Sequence, residues 1–522
     1  MTRRNPCPRA LREDLHSELN VQRVALTSDP VTVEDLARVA LERAKVDVDE
    51  SVWARVRASR AVVDRALERG KPVYGLNTGL GPWKDQAAPL DTLIDYQRRI
   101  VFERAGATGP PLPDEQVRAL MFTRIAGLAQ GGSGATPGAL EQLVRMLNAG
   151  VHPLVGENGS IGASDIGHMA MIADVAIGRG RARVDGEILS GAEALNRAGI
   201  EPYELQPKDG LAMVSANGAS IGVGGLTVIE AERVARLADL TAALALEAAS
   251  GNLSPFDDEV ARAKPFPGQI EAARHIRELL DGSYLEDPGT ALSVQDPLSF
   301  RVVPQVHGAL RDQITAAREA VEIELNSIDD NPLASVDQDT MLSNGNFHPM
   351  VLALAFESLR VGLAHTGMIS ERRIRHVFAP GRQASPDFKS TAEKEASPSP
   401  LDRLPNVTFV TPILALVELR HLAAPVTLEC PSIFGVEDHH TLAPTAVLYA
   451  RRSIRELETV LAMEALAATK ALDQLDELPR LGAGTRPLYE AARGVYDEVG
   501  HEGSPSEVVD AARRRAIAAA GS

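Results

Sequence analysis

Three stretches of this 522-residue chain, residues 225–250, 350–377 and 445–475, are long, rich in alanine and leucine, and free of internal proline. Strands rarely exceed ten residues, so segments this long read as helices, which bury their apolar faces by lying side by side. The N-terminal third continues the pattern. In TVEDLARVALERA, Thr32 is followed three residues on by Asp35, the spacing of a capping box, and then by Leu36, Val39, Ala40 and Ala44 at helical intervals. A second helix follows in SVWARVRASRAVVDRALERG, where Val52, Val56, Val63 and Leu67 share a stripe and Gly70 stands where a C-terminal cap is wanted. Strand signals are sparse; the best is RARVDGEILSG, in which Asp185-Gly186 predicts a two-residue hairpin turn. The fold class expected is mainly α: a long-helix bundle with a smaller N-terminal region.

Composition narrows what such a bundle can serve. The formal net charge of −17 and pI of about 5.3 repel phosphate backbones and anionic membranes, so neither nucleic acid nor membrane is an expected partner. Two cysteines, Cys7 and Cys430, with no CxxC pair, support neither a disulfide framework nor a structural zinc site and fit a reducing cytoplasm. The N-terminal twenty residues are charged throughout and lack the apolar stretch of a signal peptide. Glycine and proline concentrate at 74–82, 131–167 and 380–405. The expected organisation is an arm over 1–30, a region over 31–205 that carries the glycine-rich loops, and a helical region over 206–522 interrupted by a mobile loop near 378–406.

Several stretches carry side chains suited to chemistry. YGLNTGLG (74–81) sets one tyrosine in a glycine-rich loop, and QDPLSFRVVPQVHG (295–308) sets Arg301 among amides and apolar residues, where a planar guanidinium can grip a carboxylate. In NSIDDNPL (326–333), Asp329, Asp330 and Asn331 look like turn chemistry. His439 and His440 lie beside Glu437 and Asp438, but adjacent histidines point in different directions on a helix, and no metal is expected.

Together, and in this order, these blocks resemble the histidine and aromatic amino-acid ammonia-lyase family. HPLVGENGSIGAS (152–164), YGLNTGLG, KDGLA (208–212), QDPLSFRVVPQVHG, NSIDDNPL, GNFH (345–348), ISERR (369–373) and VEDH (436–439) all look like its signatures. The resemblance implies a homotetramer of long helices with active sites shared between subunits, acting on a small amino-acid-like substrate. It also implies an electrophile, the methylidene-imidazolone MIO, formed when the glycine nitrogen of an internal Ala-Ser-Gly attacks the alanine carbonyl and the serine is dehydrated. Attached to it, an α-amine becomes able to leave or to move to the β-carbon. By the same resemblance, Tyr74 removes the β-proton, Arg301 binds the substrate carboxylate with Gln295 beside it, and Glu437 and Phe347 line the wall.

The chain departs from the family where the electrophile should be. The family's GSVGASGDL is here GSIGASDI (159–166), so the triplet becomes Ala163-Ser164-Asp165, and MIO would have to form with aspartate in the glycine position. Ala249-Ser250-Gly251 is a literal Ala-Ser-Gly, but it ends a helical run, where Gly251 serves as a cap. Leu298 replaces a tyrosine, Ala126 an asparagine, and Ser215 the asparagine of an NGT block, although Asn217 could serve after a shift of two residues. The substrate-selecting Ser-His pair becomes Glu103 and Arg104, which favours a polar over an aromatic substrate; the two could also pair with each other. The expected function is an amino-acid ammonia-lyase or aminomutase. The alternatives are a lyase that works without MIO on another leaving group, and a retired enzyme that keeps the assembly as a ligand-binding scaffold.

Overall fold

The computed structural model describes residues 22–87, 92–377, 393, 395–428, 437–500 and 502–521. The chain divides into two compact units: Met1–Ser160 with Ser164–Gly222 and Leu325–Phe347, and Ile161–Ala163 with Val223–Glu324 and His348–Ser522.

In the first unit the helix Val33–Leu41 opens on the expected capping box. The Thr32 hydroxyl accepts from the Asp35 N–H at 3.1 Å, and the Asp35 carboxylate accepts from the Thr32 N–H at 3.0 Å. Its buried Val33, Leu36, Val39 and Ala40 pack against the helix Asp114–Ala129. In the helix Glu50–Glu68, Val52, Val56 and Val63 are buried while Leu67 is half-buried, and Gly70 beyond it adopts φ +64°, a left-handed conformation that glycine enters freely. The Asp-Gly turn is also found: Asp185 and Gly186, both with positive φ, join the antiparallel strands Arg181–Val184 and Glu187–Ser190. Other strand pairs carried no readable signal. They are Arg23–Leu26 with Lys45–Val48, Thr108–Pro111 with Gly156–Asn158, His152–Pro153 with Arg181–Val184, and Leu333–Ser335 with Thr340–Leu342.

The second unit is the helical bundle. Met350–Val377 packs along Ala443–Asp473, and Thr411–Leu422 packs against both. The helix Gly218–Ala249, whose first turn counts with the first unit, contributes Thr241 to a buried polar knot in this bundle. There the Glu464 carboxylate accepts from Thr241 Oγ1 at 3.0 Å, Ser370 Oγ at 2.6 Å and Arg373 Nη2 at 3.0 Å. The serine and second arginine of ISERR therefore hold helices together. Among the described residues one stretch, Asp209–Ala249, is long and apolar enough to cross a membrane, but 94% of its apolar window is buried inside the protein, as in a core helix.

The literal Ala-Ser-Gly does end a helix, with the roles exchanged. Ser250 takes the left-handed conformation at φ +49°, and the Gly251 N–H donates to the Leu246 carbonyl at 3.0 Å, closing the helix end. The proline-dotted segment expected to form a mobile loop falls largely outside the described residues. From Ser397 onward it is anchored: Ser399 is fully buried and donates to Asp473 at 2.7 Å, and Asp402 accepts from Gln474 at 2.9 Å.

Candidate active site

The tyrosine loop of the first unit is built by its small residues. The Val73 N–H donates to Asn77 Oδ1 at 2.7 Å and Asn77 Nδ2 donates back to the Lys71 carbonyl at 2.9 Å, closing a tight turn. Gly75 (φ +63°) leaves no room for a side chain, since a Cβ would stand 2.4 Å from Leu211 Cδ2. The half-buried Tyr74 phenol oxygen accepts the Gly81 N–H at 3.1 Å, a donor aimed at the atom that carries charge when a phenol ionises. The helix Leu93–Arg104 steadies this loop through fully buried Gln97, which donates to the Gly75 carbonyl at 3.3 Å and accepts from the Leu211 N–H of KDGLA at 3.0 Å.

The same helix supplies a residue that sequence reasoning missed. Burial pushes the Tyr96 phenol up to about 12, with the Arg104 and Arg99 charges opposing and Tyr74 and Glu103 reinforcing the shift, so all four act on Tyr96. The Tyr96 hydroxyl is buried without a hydrogen-bond partner among the described residues. A tyrosine on an amphipathic helix reads as core, and nothing in its spacing marks it. Glu103 is exposed and pairs with Arg99 at 3.0 Å, one turn earlier, and its charge also reaches Tyr96. Arg104 makes one long bond within its own helix, to the Ile100 carbonyl at 3.4 Å.

Around the triplet the backbone is fully engaged. Ser164 sits at φ +59°; its N–H donates to the Phe347 carbonyl at 2.9 Å, and its carbonyl accepts from Ser160 Oγ at 2.9 Å. Phe347 thus touches the site through its backbone. The Asp165 N–H donates to the Ala216 carbonyl at 2.7 Å, and Asp165 Oδ2 accepts the Ser220 N–H at 2.7 Å, in the first turn of the helix Gly218–Ala249, where an anion is favoured. Asp165 and Asn217 are both fully buried, and Asp165 Oδ1 and both side-chain polar atoms of Asn217 have no partner among the described residues. The neighbouring Ser215 is also buried. The Asn217 N–H donates to Asp329 Oδ2 at 2.6 Å.

Asp329 and Asp330 correct the expectation of turn chemistry. Both are buried against fully buried Arg124, Asp330 at 2.8 Å and Asp329 at 3.4 Å, and burial pushes Asp329 up to about 6 against the pull of that arginine. They brace the loop beneath the triplet.

The residues at 163–165 do not fit MIO. Its formation strips the N–H from Ser164, which becomes an imine nitrogen, and from Asp165, which becomes fully substituted. Both N–H groups are donors here, Asp165 (0% exposed) to buried Ala216 and Ser164 (4% exposed) to half-buried Phe347. Leaving each acceptor unsatisfied costs about 1–3 kcal/mol. The aspartate carboxylate adds a third tie that a glycine lacks.

In the second unit, Arg301 is held as a clamp. Its Nε donates to the Asp296 carbonyl at 2.7 Å, and the Gln295 amide, turned with its oxygen toward the guanidinium, accepts from Nη2 at 3.0 Å and also from Nη1. These residues, with Leu292, Ser293, Pro297 and His376, line an open cavity of about 750 Å³. Leu298 is exposed and is not among the lining residues. Glu437 is exposed in the same unit, two residues before His439, whose Nδ1 lies 3.1 Å from His348 Nε2. Ala163 belongs to the second unit, where the chain entering it is pinned: Thr441 Oγ1 donates to the Gly162 carbonyl at 2.7 Å and the Leu442 N–H to the Ile161 carbonyl at 3.0 Å.

Comparison with known proteins accounts for these blocks together. The family model of aromatic amino acid lyases matches residues 31–494. A histidine ammonia-lyase of Anaeromyxobacter dehalogenans is 40% identical over 485 residues, covering 90% of this chain and 93% of that protein. One from Alkaliphilus metalliredigens is 35% identical over 475 residues, covering 91% and 92%. Among solved structures, the ergothioneine-degrading enzyme ergothionase of Treponema denticola, in complex with desmethyl-ergothioneine sulfonic acid, superimposes with a TM-score of 0.86 at 28% identity, covering 95% of this chain and 99% of that one. Tyrosine aminomutase of Streptomyces globisporus does so with 0.83 at 29% identity, covering 95% and 98%. Enzymes of this family depend on MIO in general. The chain belongs to the aromatic amino acid lyase family and is a carbon–nitrogen lyase.

Proposed function

We propose that this enzyme eliminates a nitrogen group from the α-carbon of a polar amino-acid-like substrate, in the manner of the ammonia-lyases and aminomutases it resembles. Tyr74 takes the β-proton, Arg301 with Gln295 holds the substrate carboxylate, and Arg104 faces a polar side chain. The observation that carries this is the Arg301 clamp. A guanidinium oriented through Nε by a backbone carbonyl and through its fork by an amide, at the edge of an open cavity, is set for a planar anion. Relatives named for histidine and a neighbour named for ergothioneine support a polar substrate.

Arg301→Lys tests the clamp. Lysine keeps the charge but loses the fork and both orienting contacts, so KM is expected to rise about 10- to 100-fold with kcat little changed. An unaltered KM would show that the carboxylate is bound elsewhere.

Within this function Phe347 and Glu437 remain wall residues, and Ser215 and Asn217 support the loop at the triplet. The enzyme works in the cytoplasm as a homotetramer. Exposed Val351, Leu354, Val361 and Met368 form an apolar row along one face of the Met350–Val377 helix, and Leu414 and Val417 are exposed on Thr411–Leu422. Val361→Glu combined with Met368→Glu is expected to reduce the particle mass seen by light scattering from four chains to fewer. A mass unchanged by the double substitution would place the subunit contacts on another face.

A further inference from the structure

Resting on the carboxylate binding proposed above, we infer that Arg373 and Asn252, each from a stretch that the proposed reaction leaves without a role, are positioning residues for the Arg301 clamp.

Arg301 ends a helix of only four residues, Leu298–Arg301, and a single turn is too short to hold its own shape. Its place is imposed from two sides. On the first stands the helix Met350–Val377, which grips the turn at two consecutive residues. Fully buried Arg373, the second arginine of ISERR, donates through Nη1 to the Ser299 carbonyl at 3.0 Å. His376 meets the ring of buried Phe300 edge-on, with centroids 5.4 Å apart. Arg373 is itself held through Nε and Nη2 by Glu464, the carboxylate that also takes Thr241 and Ser370.

On the second side stands the literal Ala-Ser-Gly with the asparagine that follows it. Asp296, whose carbonyl orients Arg301 Nε, has a carboxylate that accepts the Asn252 N–H at 2.6 Å and Asn252 Nδ2 at 3.2 Å. The same amide nitrogen donates to the Ser293 carbonyl at 2.9 Å, and the Leu292 N–H donates to the Ser250 carbonyl at 3.1 Å. Residues 292–296, part of the cavity wall, are thereby fastened to the end of the helix Gly218–Ala249. Among the described residues lining that cavity, Arg373 and Asn252 do not appear, so each acts through Arg301 and not on the substrate. A fork that grips a planar anion by two bonds loses one of them when it is misaimed, so loosening either anchor weakens carboxylate binding and leaves the proton transfer at Tyr74 alone.

Steady-state kinetics on the full-length chain tests this. A panel of polar α-amino acids, free and N-substituted, is screened by the ultraviolet absorbance of the α,β-unsaturated acid, and the best substrate is carried forward. Arg373→Lys keeps the charge against Glu464 but cannot also reach the Ser299 carbonyl; Asn252→Ala removes only the side-chain donors of a half-buried turn residue, and so decides the matter even if the arginine variant does not fold. In each, KM is expected to rise about 3- to 10-fold with kcat changed by less than about twofold. Added to Arg301→Lys, Arg373→Lys is expected to raise KM no further, since both act on one contact. Thr241→Val loosens the same polar knot without touching the turn, and is expected to lower the urea midpoint at unchanged KM. A KM that rises as much in Thr241→Val, or that rises additively in the double variant, reports a loosened bundle and overturns the inference. A rise in one anchor variant alone withdraws the role from the other. An unchanged KM in both, beside a raised KM in Arg301→Lys, overturns the inference and spares the clamp. An unaltered KM in Arg301→Lys, or no turnover of any panel member by the folded parent chain, removes the proposed function and this inference with it.

Discussion

Tyr74→Phe is expected to lower kcat by about 10²- to 10⁴-fold, the range for losing a positioned acid–base group, with substrate affinity little changed. The loop conformation does not depend on the phenol. It is fixed by Asn77 bonding to both ends of its turn, by Gln97 on the Gly75 carbonyl, and by the close approach of Gly75 to Leu211. Phenylalanine retains the ring and loses only the oxygen that the Gly81 N–H addresses. Calorimetric titration and steady-state rates, measured side by side, separate the outcomes: a loss confined to kcat assigns the proton to Tyr74. A variant that turns over at the parental rate moves the base elsewhere, and Tyr96, half-buried and within charge reach of Tyr74, becomes the next group to test by substitution.

That Tyr96 had to be found in three dimensions shows where sequence stops being informative. The 350–377 helix was readable to its ends, because the alanine and leucine content of that stretch and its freedom from proline leave no competing structure. Thr32–Asp35 and Asp185-Gly186 were readable because a cap and a tight turn are decided within four residues. Asp329 and Asp330 were misread for the converse reason. Two acids before an asparagine look like a turn until Arg124, some two hundred positions earlier, arrives beside them. The same distance hid the meaning of ISERR, whose Ser370 and Arg373 find Glu464 about ninety residues downstream. The pairing of Glu103 with Arg99, one helical turn earlier, is the kind of local contact that spacing announces. The absent glycine at 165 was visible at once, but what the aspartate does there depends on the Ala216 carbonyl and the Ser220 N–H, which no local pattern announces.

Removing Glu464 is expected to cost more stability than any surface change in the bundle, about 3–5 kcal/mol for Glu464→Ala, because it strands a cation in the interior. Arg373 is fully buried, its other hydrogen-bond partner among the described residues is the Ser299 carbonyl at 3.0 Å, and Glu464 is 1% exposed, so the pair is shielded from water. Thr241 and Ser370 would lose their acceptor in the same step. Urea denaturation at fixed protein concentration, followed by circular dichroism, reads the effect as a fall in the midpoint. Glu464→Gln distinguishes charge from shape: it can still accept from Thr241 and Ser370 but leaves Arg373 without a counter-charge, so it should recover only part of the loss. Replacing both partners with apolar residues of similar volume, Arg373→Met with Glu464→Leu, should recover most of it, since the penalty belongs to the unpaired ion and not to the missing pair. If the alanine variant unfolds at the parental urea concentration, Arg373 is not desolvated in solution, and the three helices that supply Thr241, Ser370 and Glu464 are held by their apolar contacts alone.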